Sequence, residues 1–246
     1  MAKKAVRKTG SKTKAKARKS EGVPVLTRIS TWLLRGGVIM AAIVVALVLL
    51  FSVVNPPVTY TIWSEWRRLG RVERDWVPMD QIAPVMARSV VAAEDANFCL
   101  HWGFDVNAIR AALDEGGNRG ASTISQQTVK NVFLWQGRSW FRKALETSIT
   151  PLVELFWTKR RILEVYLNVA EMGEGVFGVE AAARKYYGVS ADALTPTQAA
   201  RLAAILPAPR QRSVVDPSVG TRRRAAAIRD GAATIRADGR DDCFED

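Results

Sequence analysis

Two stretches near the middle of the chain decide its fold: VVAAEDANFCLHWGFD at residues 90–105 and GNRGASTISQQTVKN at residues 117–131. Each overlaps a segment in which apolar residues recur at the three- and four-residue spacing of a helix. Alternating β-branched runs, which are typical of strands, are scarce apart from residues 58–62. The sequence therefore predicts a mainly α domain.

The helical spacing extends over most of the chain after Pro57. Helices are expected at residues 81–97, 104–113, 123–133, 138–157, 158–170, 176–187, 195–206 and 216–237. Pro151 lacks a backbone donor and crowds the preceding turn, so it is expected to kink or divide the helix at 138–157. Residues 58–246 contain no internal repeat or low-complexity linker, which favours a single domain.

The basic charge of the chain is confined to its beginning. The chain has 246 residues, 48% of them hydrophobic, and a net charge of +12. Residues 1–35 contain eleven Lys or Arg and one acid, whereas residues 36–246 contain 25 basic and 23 acidic residues. We therefore interpret residues 1–35 as a basic disordered tail, and we do not expect nucleic acid as a partner.

A membrane anchor is predicted directly after this tail. Residues 38–54 read VIMAAIVVALVLLFSVV without a charge, and a helix over residues 36–55 approaches the ~30 Å hydrocarbon thickness. A cleaved signal peptide and a buried core helix are the alternatives. The positive-inside rule then places the tail in the cytoplasm and residues 58–246 outside, with Trp63 and Trp66 near the interface.

The first candidate for chemistry is Glu94, which follows four small apolar residues. Burial of its carboxylate raises the pKa and suits the group to proton transfer, although an acid at a helix end is often only a cap or a surface charge. His101, the single histidine, is favoured as a brace for the turn, and metal sites that need two imidazoles are excluded.

The second stretch places glycines before a helix whose first turn carries hydroxyls and whose later turns carry glutamines and a lysine. This arrangement can bind sugar hydroxyls and phosphate oxygens, although a capped helix with a polar face has the same composition. Lys130 does not follow the glycines directly, so the stretch is no nucleotide-binding loop.

Five ordered segments together resemble the peptidoglycan glycosyltransferase family, whose domain is lysozyme-like. The matching segments are residues 94–103 (EDANFCLHWG), 120–131 (GASTISQQTVKN), 142–146 (RKALE), 161–168 (RILEVYLN) and 178–188. The departures are Ser125 for the usual Thr, Thr128 for a Leu and Tyr187 for a Phe. Within the family, the chain looks most like the monofunctional members, which have an anchor and a glycosyltransferase domain but no transpeptidase domain.

The resemblance implies an inverting reaction that polymerises lipid II into β-1,4-linked glycan strands and releases undecaprenyl diphosphate. Glu94 is the expected general base, and Glu146 is the expected second carboxylate beside the donor phosphates. Substrate contacts are expected from ten further residues. These are Asp95, Phe98, His101, Ser122, Thr123, Gln127, Lys130, Asn131, Arg142 and Lys143.

The remaining expectations concern cofactors, cellular location and partners. No cofactor is required, although a divalent cation (Mg or Mn) is sometimes associated with the family, and no compact ligand cluster in the sequence demands a metal. The expected location is the cell inner membrane, with a cytoplasmic N-terminus and a periplasmic catalytic domain. Lipid II and the growing lipid-linked glycan are the expected partners, and cell-division or elongation proteins are candidates.

Two other classes of function use similar residues. A lysozyme-like hydrolase would use two carboxylates with water as the acceptor, but it has no use for cations beside Glu146. A membrane scaffold without catalysis would tolerate substitution of the carboxylates and the basic residues. All of these residues are present.

The two cysteines, Cys99 and Cys243, are expected to form a disulfide, because the predicted topology places both on the oxidising side of the membrane.

Five large apolar residues lie within nine positions: Phe133, Leu134, Trp135, Trp140 and Phe141. Core packing is the default explanation, but the polar break between them predicts that some are exposed and enter the outer leaflet. Complete burial of Trp135 and Trp140 would contradict this prediction.

Overall fold

The computed structural model describes residue 1 and residues 25–116, 120–137 and 139–245. The described residues form a mainly helical protein, which confirms the predicted class. Its helices are α1 Val25–Phe51, α2 Tyr60–Leu69, α3 Pro84–Glu94, α4 Val106–Asp114, α5 Ile124–Phe133, α6 Trp140–Phe156, α7 Lys159–Val169, α8 Val179–Tyr187, α9 Pro196–Ile205 and α10 Val219–Ala237. Three short strands are β1 Glu73–Arg74, β2 Glu171–Gly173 and β3 Val176–Phe177.

The chain divides into a first unit, Met1–Val44, and a second unit, Val45–Asp246. In the first unit, α1 begins at Val25 and not at the predicted residue 36, so the boundary predicted for the tail is wrong; residues 2–24 lie outside the described part. Apolar side chains such as Leu33 and Val38 are exposed. Ser30–Phe51 is long and apolar enough to cross a membrane.

The second unit has a helical core built around α3 and α5. Helix α3 packs against α9 and α10, and α5 packs against α6 and α7. The strands form one small sheet in the order β1-β3-β2, in which β1 is parallel and β2 antiparallel to β3. Large side chains from several of these elements are fully buried, among them Tyr166 and Phe177. This core holds the ends of α3 and α5 side by side.

Three local predictions need correction. Residues 58–62, the alternating run, do not form a strand: the Thr59 side chain accepts the Ile62 amide and starts α2. Of the two outcomes expected at Pro151, division of the helix is wrong, since α6 is continuous across it, and a kink stays a prediction. The helix predicted from residue 176 begins at Val179, because Val176 and Phe177 pair with both neighbouring strands.

The last turns of α1 belong to the second unit and are held by contacts within it. The indole Nε1 of Trp157 donates to the Val48 carbonyl at 2.7 Å, and the Arg161 guanidinium donates to the carbonyls of Phe51 at 3.1 Å and Val54 at 2.9 Å. Terminal helix carbonyls lack intrahelical partners, so these contacts stabilise the end of α1.

The predicted disulfide between Cys99 and Cys243 is confirmed, with a Cα–Cα distance of 5.6 Å. Around it, the Phe244 ring lies 6.3 Å from that of Phe98. Arg240 donates to the Ala96 carbonyl at 2.9 Å. The C-terminal segment is therefore fastened to the loop that follows Glu94.

Candidate active site

Glu94 is the last residue of α3 and borders a cleft. The cleft is lined by residues from the end of α3, the start of α4 and the segment before α5, including Glu94, Asp95, Asp105, Ser122 and Thr123. The first two sequence motifs thus meet at one place. Their meeting point is the candidate active site.

The carboxylate of Glu94 is 12% exposed, and burial raises its pKa above the ordinary range, as predicted. Its Oε2 accepts from Gln127 Nε2 at 2.9 Å. Its Oε1 has no hydrogen-bond partner in the part of the chain that the structure describes. One carboxylate oxygen is therefore anchored by Gln127, and the other is buried without a hydrogen-bond partner among the described residues.

Gln127 is itself oriented by α7. The buried Tyr166 hydroxyl donates to Gln127 Oε1 at 3.2 Å, which turns the amide NH₂ toward Glu94. The family resemblance predicts a direct substrate contact for Gln127, and this geometry adds the role of holding Glu94. Tyr166 was absent from the predicted site.

Asp95 and His101 connect the first motif to the start of α5. Asp95 Oδ1 lies 2.8 Å from His101 Nε2, and Asp95 Oδ2 accepts the Ile124 amide at 2.9 Å. A carboxylate at a helix N-terminus satisfies a free amide and interacts favourably with the helix dipole. His101 thus stabilises the turn, and its ring packs edge-on against the fully buried ring of Phe98.

The start of α5 is fixed by a capping box. Thr123 accepts the Gln126 amide, Gln126 accepts the Thr123 amide, and the Thr123 hydroxyl donates to the Gly103 carbonyl at 2.7 Å. Gly103 has a φ of +82°, and a Cβ there would lie 2.8 Å from Thr150 Cγ2. Because the Thr123 hydroxyl is engaged in these internal bonds, its position shapes the cleft wall and does not favour a direct substrate contact.

Glu146 lies in α6 and is paired with two cations. Its side chain is 3% exposed, Arg142 Nη1 lies 2.6 Å from its Oε2, and Lys143 Nζ contacts its Oε1. Lys143 also donates to Ser122 Oγ at 3.2 Å, which links this cluster to the cleft. Glu146 is therefore placed as the partner of two cations.

Lys130 interacts electrostatically with both carboxylates, Glu94 and Glu146. Burial lowers its pKa, while the charges of Glu146 and Glu94 raise it. On the same helix, Asn131 Oδ1 accepts from Gln136 at 3.2 Å. Lys130 is thus a buried cation that a further negative charge would favour.

The departures from the family pattern fit the structure. Ser125 keeps a hydroxyl, which donates to the buried Glu154. Thr128 is fully buried, and its hydroxyl lies 3.5 Å from the Ile162 carbonyl. Both changes therefore leave α5 packed against α6 and α7.

The described residues offer no evident metal site. No group of three or more His, Cys, Asp or Glu side chains among them could hold a metal ion. Glu146 is neutralised by its own cations, which lowers its value as a metal ligand.

The aromatic cluster is divided between core and surface. Trp140 is 92% exposed and Phe141 67%, whereas Leu134 is buried and the Phe133 ring lies 6.0 Å from that of Phe51. The prediction that part of the cluster is exposed is confirmed. Contact with a membrane stays a prediction.

Arg224 on α10 is the cationic residue that sequence reasoning missed. Its Nη2 lies 3.6 Å from Glu94 Oε1, whereas Arg142, which was expected near Glu94, binds Glu146. Arg224 belongs to a run of three arginines, and no local pattern reveals which of them meets a residue 130 positions earlier.

A largely buried carboxylate with one oxygen free of hydrogen bonds to the described residues, near cations held by a second carboxylate, defines the class: an enzyme for group transfer with an anionic leaving group. The model of the Transglycosylase family matches residues 62–232. The chain is 62% identical to the biosynthetic peptidoglycan transglycosylase of Jannaschia sp. (strain CCS1), over 87% of this chain and 89% of the relative. It is 48% identical to that of Caulobacter vibrioides, over 84% and 91%. The chain belongs to the transglycosylase family.

Proposed function

We propose that this chain is a peptidoglycan glycosyltransferase that polymerises lipid II into β-1,4-linked glycan strands and releases undecaprenyl diphosphate, without transpeptidase activity. Family membership and the names of the relatives support the class of reaction. The observation that carries the mechanism is the unequal environment of the two carboxylates. Glu94 is largely buried and has one oxygen without a hydrogen-bond partner among the described residues, and Glu146 is paired with Arg142 and Lys143.

Glu94 is proposed as the general base. Its Oε1 takes the proton of the acceptor 4-hydroxyl as the hydroxyl oxygen attacks the anomeric carbon of the donor. The bond from this carbon to the diphosphate breaks, and the electron pair leaves with the diphosphate oxygen. A raised pKa matches the base better to neutral pH.

Lys130, Arg142 and Lys143 are proposed to stabilise the leaving diphosphate. Two of them are fixed by Glu146, so they need little reorganisation when charge develops. A bound diphosphate would favour the charged form of Lys130, whose pKa burial lowers. Ser122, Gln127 and Asn131 are proposed as polar contacts around the sugars.

The membrane is proposed to hold both enzyme and substrate. The candidate span Ser30–Phe51 supports a single-pass anchor in the cell inner membrane, with the N-terminus in the cytoplasm and the catalytic domain in the periplasm. A surface cavity lined by Ser139, Trp140, Arg142 and Lys143 places an exposed aromatic next to cations. This combination suits a lipid tail that continues into a diphosphate.

A test uses the purified full-length chain in detergent with lipid II. The expected product is a polymer that lysozyme degrades to disaccharide units. Glu115→Gln, at an exposed carboxylate outside the cleft, is the matched control for changes at Glu94. Release of free sugar from finished glycan without polymer formation would instead support a hydrolase.

A further inference from the structure

Arg224 reaches the catalytic helix from the far end of the sequence. Its Nη2 donates to the Ala93 carbonyl at 3.1 Å and lies 3.6 Å from Glu94 Oε1. Ala93 belongs to the last turn of α3, where carbonyls lack intrahelical partners. One guanidinium thus caps the helix that ends in Glu94 and faces the carboxylate oxygen that has no hydrogen-bond partner among the described residues.

The position of Arg224 is set by close packing. Helix α10 packs on α3, and a Cβ on Gly231 would lie 3.3 Å from the Cβ of Ala92. Arg240, near the end of α10, donates to the Ala96 carbonyl, and the disulfide follows directly. Several independent contacts therefore fix α10 against the segment that carries Glu94.

Three helices and one loop supply the groups that face Glu94. Lys130 and Gln127 come from α5, the Tyr166 hydroxyl from α7, Arg212 from the loop after α9, and Arg224 from α10. Asp95, which directly follows Glu94, interacts instead with His101 and the Ile124 amide. Burial raises the pKa of Glu94, and the three cations and the Gln127 hydrogen bond lower it.

The three cations are not equivalent. Lys130 also interacts with Glu146, and burial lowers its own pKa. Arg212 donates to the Ala204 carbonyl at 2.8 Å. An arginine remains charged throughout the working pH range, and Arg224 forms an ion pair with Glu94. Arg224 is therefore the constant charge beside the base.

We propose that Arg224 is a positioning residue for the reaction: it keeps Glu94 ionised and holds its carboxylate so that Oε1 meets the acceptor hydroxyl. The kinetic consequence rests on the proposed function, but the charge state of Glu94 can be measured without it. A base that is protonated cannot accept the hydroxyl proton. Loss of Arg224 should therefore inactivate the enzyme first at low pH.

The direct test is a ¹³C NMR titration of the full chain in detergent with carboxyl-labelled glutamate, in which Glu94→Gln assigns the resonance. Arg224→Gln and Arg224→Met should raise the pKa of Glu94 by about one unit, the low end for loss of a nearby charge at a partly exposed site. Arg224→Lys should restore most of the difference. Arg223→Gln, an exposed neighbour on the same helix, is the matched control and should leave the pKa unchanged.

The kinetic test is the pH profile of kcat/KM with lipid II. The acidic limb should move to higher pH by the same amount, with about a tenfold loss of rate below it. An unmoved pKa in both neutral variants, or unfolding of both in thermal melts, would assign Arg224 a purely structural role and overturn the proposal. If the wild-type chain makes no polymer, the proposed function fails, while the titration still decides the role of Arg224.

Discussion

Removal of the disulfide should cost the catalytic domain much of its stability. Cys99 and Cys243 are 144 residues apart in sequence, so the bridge closes most of the second unit into one loop. The chain-entropy model gives about 5 kcal/mol for a loop of this length. This is a large share of the 5–15 kcal/mol that is usual for folded domains.

The assay compares thermal unfolding of the wild type with that of Cys99→Ser/Cys243→Ser, both full length in the same detergent. At roughly 2–4 °C per kcal/mol for a domain of this size, Tm should fall by about 10–20 °C. Reductant should lower Tm of the wild type and leave the double variant unaffected. A difference of less than about 1 kcal/mol between the two proteins would refute the reasoning.

Glu146→Gln should reduce polymerisation by about 10²-fold, because Arg142 and Lys143 lose their partner and the pKa of Lys130 falls further. A rate near wild type in the lipid II assay would argue against the role of these cations in stabilising the leaving diphosphate. Trp140→Ser should weaken sedimentation with phospholipid vesicles and leave Tm unchanged, and equal binding would place this side chain outside the membrane. Gly103→Ala should lower the free energy of unfolding by about 1–3 kcal/mol more than Gly70→Ala, because both glycines have positive φ but only a Cβ at Gly103 would clash with a threonine methyl. Equal losses in denaturant titrations would show that this contact relaxes.

Helix positions follow from the sequence because their starts carry recognisable caps. Thr123 with Gln126, and Thr195 with Gln198, form capping boxes at the starts of α5 and α9. The eight predicted helices are all present, with ends that differ from the predicted ones by up to three residues. The shift arises because caps and adjacent turns have non-helical backbone.

Other features depend on contacts that local patterns do not encode. The start of α2 reads as alternating β-branched residues, and its helical state depends on the Thr59 cap and on packing against α5. The strands are two or three residues long, too short for a period to register. The pairing of Arg224 with Glu94 joins α10 to α3, which only the folded chain brings together.

The most direct measurement of the central claim is polymerisation of lipid II by Glu94→Gln, beside lipid II binding by the same protein. The variant keeps the size of the side chain and can still contact Gln127, but it cannot accept the hydroxyl proton. General-base catalysis contributes roughly 10²–10⁴-fold, so polymer should fall below detection while binding persists. Retention of more than about a tenth of the wild-type rate would contradict the assignment and transfer the role of base to Glu146.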